Sequence, residues 1–196
     1  MSRLVRRLCL SALLSLFACG DALATEYPRV KLETTMGDIV FTLDASKAPK
    51  TVANFLGYVK SGYYNGMVFH RVVPGYLIQG GGFDANMKRR PWKAAISNES
   101  KNGLHNVAGS VAMARAEDPN SATTEFFINL RDNPEFDYPS HDGWGYAVFG
   151  QVTEGFDTVG KIMRSPRGDP QNLVLINKAV ILKPATQNPL EESTPQ

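Results

Sequence analysis

The sequence predicts a mainly β domain: a closed antiparallel barrel whose open ends are covered by two α-helices. Three observations lead there. Short apolar stretches of strand length recur along the chain, separated by Gly, Pro, Asn and Asp, while apolar residues at helical spacing occur in only two places. Neighbouring stretches are joined by tight turns, as in hairpins, which implies antiparallel pairing. Both cysteines, Cys9 and Cys19, lie near the N-terminus, so the domain has no disulfide. A sheet closed on itself hides its edges without one.

The first segment stands apart. Arg3, Arg6 and Arg7 precede an apolar run from Leu8 to Cys19, and Ala22-Leu23-Ala24 follows. This is the order of a secretory signal peptide, and cleavage is expected after Ala24. The run is too short to span a membrane core, which takes roughly 20 residues. A second reading takes Leu16-Phe17-Ala18-Cys19 as a lipoprotein box, with lipid on Cys19. Loss of residues 1–24 removes three arginines and Asp21 from totals of 21 basic and 19 acidic residues, leaving 18 of each. A neutral chain offers no basic stripe for nucleic acid.

The elements then follow in order over residues 25–184, one domain without internal repeat or boundary. Val30 and Leu32, then Ile39, Phe41 and Leu43, alternate with other residues on either side of Met36-Gly37-Asp38 and predict a hairpin. Pro49 opens a helix where its missing N–H is harmless. Val52, Phe55, Leu56 and Val59 give that helix one apolar stripe, and Gly62 ends it. From Phe69 an apolar strand runs to a turn at Pro74-Gly75, resumes, and stops at Gly80-Gly81-Gly82. No Lys-Ser/Thr helix follows these glycines, so they are no phosphate loop.

Residues 83–106 read as a long surface loop. Val107–Ala114 and Glu125–Leu130 are strands, and 133–145 is a second irregular loop. Ala147–Gly150 is a strand, and Phe156, Val159, Ile162 and Met163 mark the second helix. After a turn at Pro166–Pro170, segments 173–176 and 179–182 close the domain. The tail 185–196, rich in Pro, Gln, Glu, Ser and Thr, is expected to be disordered.

Within the stretch 69–82, Arg71 and Gln79 are long polar side chains in apolar surroundings. A guanidinium cannot shed its charge, so it must reach water, a partner or a ligand. His70, adjacent to Arg71, alternates to the opposite face of the strand and is expected to be a hydrogen-bonded structural residue. His105 and His141 lack metal-ligand spacing, and no metal or cofactor is expected. Trp92 and Trp144 are expected to pack.

The pattern Phe69-His70-Arg71-Val72-Val73-Pro74-Gly75, continuing through Gln79-Gly80-Gly81, resembles the signature of the cyclophilins, peptidyl-prolyl cis-trans isomerases. Four further segments resemble that family in the right order: Lys47–Phe55, Gly109–Ala116, Ser121–Ile128 and Gly145–Val152. The resemblance covers residues 28–183 and implies a closed eight-stranded barrel with two capping helices. It implies rotation about Xaa-Pro bonds as the activity, with Arg71 as the catalytic donor.

That chemistry has a clear physical basis. Rotation about an Xaa-Pro bond faces a barrier of about 18–20 kcal/mol because the nitrogen lone pair is delocalised into the carbonyl. In the twisted transition state the nitrogen becomes amine-like, and a donor aimed at it gains strength it lacks in the ground state. The resemblance also implies that Phe127 and Leu77 line an apolar socket for the proline ring, with Tyr76, Phe136 and Tyr146 at the rim. Gln79 would hold Arg71 or a substrate carbonyl. The main chain of Ala114, Arg115 and Ala116 would pair with the extended peptide.

Departures from the pattern are informative. Glu125 stands where glutamine is usual, and is expected to pair with Arg71. Phe136 stands where many members have tryptophan, so weak cyclosporin binding is implied. Asp137 and Tyr138 replace a more apolar neighbour in one wall. The expected partners are proline-containing polypeptides of the periplasm, whose folding the protein would assist as a monomer. One alternative is a chaperone that holds proline segments with little turnover, Arg71 being silenced by Glu125. A small-molecule barrel is the other.

Overall fold

The computed structural model describes residues 27–165 and 173–185. The expected leader, the lipoprotein box, the turn 166–170 and the tail beyond 185 lie outside these residues. Among the described residues are nine strands and two α-helices: β1 Tyr27–Thr34, β2 Gly37–Leu43, α1 Pro49–Lys60, β3 Met67–Val68, β4 Arg71–Val73, β5 Leu77–Gly80, β6 Ser110–Met113, β7 Phe126–Asn129, β8 Val148–Glu154, α2 Phe156–Arg164 and β9 Leu175–Ala185. The strands form one antiparallel sheet in the order β3-β9-β1-β2-β8-β6-β7-β5-β4, curled as a half-barrel.

The count is nine rather than eight. The strand expected to open at Phe69 is preceded by a separate two-residue piece, β3, which pairs with β9. Phe69 and His70 interrupt the run before β4 pairs with β5. The two ends of the sheet, β3 and β4, are thus neighbours in the chain. The segments 173–176 and 179–182, expected as two strands, belong largely to one. Strand β9 continues through Asn177-Lys178 by taking up one extra residue against β1, with Glu33 opposite Lys178 and Thr34 opposite Ile176. One residue, Asn177, is bulged out.

The predicted hairpin β1–β2 closes with Thr34 opposite Gly37. Helix α1 starts at Pro49, and Gly62 follows it with φ +69°. It buries Val52, Phe55 and Val59 together with Thr51 and Tyr58. Helix α2 differs from expectation. Its buried face is Thr158, Val159 and Ile162, while Phe156 is 55% exposed. Gly155 precedes it at φ +88°, and a Cβ there would collide with the Asp38 carbonyl oxygen. Both the backbone conformation and the close approach require glycine.

Inside the sheet, Phe41, Phe55, Tyr64, Phe126 and Phe149 form the centre of the core. Phe126 meets Phe41, Phe55, Tyr64 and Phe69 at ring-centroid distances of 5.7, 5.5, 5.6 and 6.0 Å. A second, smaller apolar cluster of Leu77, Ala112, Phe127 and Val148 lies apart from this core. Strands β6 and β7 are therefore buried on both faces, which is why their sequences are continuous apolar runs without polar alternation.

Candidate active site

The second cluster carries the site, and strand register assembles it. Arg71 on β4 lies opposite Gln79 on β5, and Gln79 lies opposite Phe127 on β7. Phe127 lies opposite Ala112 on β6, which in turn faces Val148 on β8. One row of cross-strand neighbours thus runs from a guanidinium through an amide to an apolar floor. A shift of one residue in β5 or β7 would turn the row to the other face.

Above this floor is a cavity of ≈ 280 Å³. Leu77 and Phe127, each 2% exposed, form its base. Phe136 and Tyr146 wall it, with their rings 5.6 Å from Phe127 and 4.8 Å from each other. Arg71 and Gln79 stand on one side and Ala114 and Arg115 on the other. Tyr76 sits one layer back. Its ring packs on Phe136 at 5.4 Å, and its hydroxyl donates to Glu135 Oε1 at 2.9 Å. Phe136 itself comes from a 3₁₀ turn, Pro134–Phe136, within the loop read as irregular.

A second cavity of ≈ 310 Å³ adjoins the first and shares Gln79, Ala114 and Arg115 with it. Glu125, Ala116, Arg89 and Trp92 line its far side. The N–H of Ala114 is bonded to Glu125 O at 2.9 Å and that of Ala116 to Ser121 Oγ at 2.8 Å. These two N–H groups are therefore not open to a further partner. The Arg115 side chain is fixed, donating to Gly145 O at 3.1 Å and to Asp142 at 2.6 Å, with its guanidinium 4.7 Å over the Tyr146 ring.

Glu125 is placed differently from expectation. Its carboxylate accepts from Gln79 Nε2 at 2.7 Å and from Arg89 Nη1 at 2.8 Å, and lies 3.3 Å from His70 Nε2. Arg71 instead donates from Nη1 to Gln79 Oε1 at 3.2 Å. The expected Glu125–Arg71 pair is replaced by a relay through the Gln79 amide, whose two ends bond Arg71 and Glu125. The premise of a silenced Arg71 falls with it. His70, expected on the opposite face of a strand from Arg71, lies outside any strand: its ring packs on Phe83 at 4.8 Å, its side chain is 10% exposed, and its Nε2 approaches Glu125.

Burial alone would raise the pKa of Glu125. The hydrogen bonds from His70 and Gln79, with the charges of His70 and Arg89, outweigh it and hold the pKa at about 2, against 4.5 for an ordinary glutamate. A depressed carboxylate pKa contributes stability that is present above pH 4.5 and lost as pH falls toward 2. The gap in urea midpoint between the protein and Glu125→Gln should therefore narrow across that window. A gap independent of pH would mean that the carboxylate is not bound as described.

Several residues around the site escaped the sequence. Arg89 and Trp92 lie in a loop without periodicity, where nothing marks which side chain turns back. Trp92, expected to pack, is 51% exposed, with the Arg89 guanidinium 5.8 Å from its ring. Trp144 is 39% exposed and meets Tyr138 at 6.5 Å. Asp137 is no part of the cavity wall. Its carboxylate accepts from the Asn106 main-chain N–H at 2.7 Å and from Asn106 Nδ2 at 2.9 Å, and lies 2.8 Å from His105 Nδ1, tying two loops together.

A curled sheet bearing a small apolar socket, flanked by the guanidinium groups of Arg71 and Arg115, has the geometry to seat a compact ring carried on an extended chain. The comparisons with known proteins make the assignment. Residues 29–181 match the family model described as cyclophilin type peptidyl-prolyl cis-trans isomerase/CLD. A peptidyl-prolyl cis-trans isomerase of Streptomyces antibioticus is 50% identical over 162 residues, 78% of this chain and 98% of its own. Peptidyl-prolyl cis-trans isomerase A of Dickeya dadantii is 44% identical over 178 residues, 87% and 93% respectively. The crystal structure of a cyclophilin-type isomerase of Cryptosporidium parvum superposes with a TM-score of 0.67 at 28% identity, covering 80% of this chain and 98% of that one. The chain belongs to the cyclophilin-type peptidyl-prolyl cis-trans isomerases, enzymes of the isomerase class.

Proposed function

We propose that the protein catalyses rotation about Xaa-Pro bonds in extended segments of exported polypeptides, with Arg71 as the catalytic donor. The observation that carries this reading is the guanidinium at the mouth of the apolar socket. A guanidinium has five donors, and the bond to Gln79 uses one. With a proline ring on Leu77 and Phe127, the peptide nitrogen comes to the same mouth. A donor there gains strength only as the amide twists and its lone pair localises, which is the condition for lowering the barrier. The socket asks for a compact apolar ring, and a crystal structure of the Cryptosporidium isomerase was determined in the presence of the dipeptide Ala-Pro.

In this reading the Ala114–Ala116 segment holds the peptide on the N-terminal side of its proline, and Phe136 in place of a larger ring weakens cyclosporin binding. The half-barrel closes along the seam between β3 and β4, whose continuity through Phe69 and His70 keeps the sheet's two ends together. The enzyme works in the periplasm, a reading supported by the basic, apolar and small-residue order of residues 1–24. The expected result is faster cis–trans exchange of a short Xaa-Pro peptide, followed by NMR, on addition of the purified protein. Binding of the peptide without acceleration would instead establish a holding protein. The mass of the protein recovered from the periplasm tests cleavage after Ala24 against lipidation at Cys19.

A further inference from the structure

We infer that Glu125 is a positioning residue that locks the orientation of the Gln79 amide and thereby aims Arg71. The inference rests on the isomerase reading of the same site and adds a residue to it. The argument begins with what each group can do. A carboxylate only accepts hydrogen bonds, a guanidinium only donates, and a glutamine amide has one end of each kind. Gln79 lies between the other two, with Nε2 2.7 Å from Glu125 and Oε1 3.2 Å from Arg71 Nη1. Only this orientation satisfies both neighbours. The reverse would set the amide oxygen against a carboxylate and the amide N–H₂ against a guanidinium.

A neutral glutamine at 125 would remove half of that constraint. Its own amide could donate to Gln79 Oε1, which would leave Gln79 presenting N–H₂ to Arg71. Glutamate excludes this second arrangement.

The carboxylate is itself held in place. Arg89 donates to Oε1, and its guanidinium lies 4.4 Å over the Phe83 ring, against which His70 also packs. His70 Nε2 approaches Oε2, while its Nδ1 is buried without a hydrogen-bond partner. The ring therefore meets Glu125 through Nε2, the nitrogen with a partner, and its hydrogen bond runs from there to the carboxylate. Behind the carboxylate is Gly82. A Cβ there would come within 2.5 Å of Glu125 Cδ and Oε1. The last of the three glycines therefore makes room for this side chain.

Two variants disturb the lock in different ways. Glu125→Gln keeps the shape and restores the ambiguity, whereas Gly82→Ala keeps the charge and displaces it. Each is expected to lower kcat/KM by about fivefold, carried by kcat with KM little changed, because the proline socket is untouched. In a Gln79→Leu background neither should lower it further, since the path to Arg71 is already cut. A Glu125→Gln enzyme as fast as the original, or losses that multiply with that of Gln79→Leu, would overturn the inference. Should the original protein show no isomerisation, the enzymatic reading fails and the lock is read by NMR. The Gln79 side-chain amide signals are then expected to move in Glu125→Gln, and unmoved signals overturn it.

Discussion

Arg71→Ala is expected to lower kcat/KM for an Xaa-Pro peptide by at least about tenfold, or near 1.4 kcal/mol of transition-state stabilisation. The guanidinium stands at the mouth of the socket and is exposed in the free protein, so truncation removes no core packing. The folded state should survive, and the melting curve serves as the control. Peptide affinity should change less than turnover, since Leu77, Phe127, Phe136 and Tyr146 line the apolar cavity in which the proline ring is proposed to sit. Arg71→Lys separates charge from shape. An ammonium keeps the charge but lacks the planar fork that can bond Gln79 and a peptide nitrogen together, so lysine should restore little. Full activity in the alanine variant would remove Arg71 from the mechanism.

Phe126→Ala should have the larger effect on stability, and it makes an informative pair with Phe127→Ala. The two residues are adjacent on β7 and point to opposite faces. Phe126 is fully buried and touches four other aromatic rings in the core. Removal of a ring from such a site costs about 3–5 kcal/mol, through lost burial and the cavity left behind. A shift in urea midpoint at unchanged m-value measures this directly. Phe127 contacts Phe136 and Tyr146 at the socket, so its loss should chiefly raise KM for a proline peptide. If the two variants were equally destabilised and bound peptide alike, the division into core face and site face would be wrong.

The parts visible in the sequence were those set by short-range rules. The first hairpin, the start of α1 at Pro49 and the turn at Pro74-Gly75 follow from alternation and turn chemistry. Arg71 and Gln79 stand out because long polar side chains are rare in an apolar stretch, and the family resemblance placed the socket. What could not be read is set by distant groups. Glu125 was expected at Arg71, but its partners Arg89 and His70 come from a loop and from the break between β3 and β4, and no local pattern joins them. The apolar stripe proposed for α2 included Phe156, yet that ring faces outward at the first position of the helix. The eight-strand count failed on a two-residue strand, which is too short to announce itself by alternation.

The place of β9 in the sheet governs when this domain can form. Strand β9, the last among the described residues, lies between β1, the first of them, and β3. Neither neighbour can complete its ladder until residues 175–185 are available, so the slowest loop closure spans nearly the whole domain. A chain lacking residues 175–185 keeps β1 with one open edge and holds β3 only through its bridge to Asp84. Residues 175–185 must therefore be available before this isomerase domain can itself fold, and a stop codon shortly before Leu175 would release a chain whose first strand templates pairing with others.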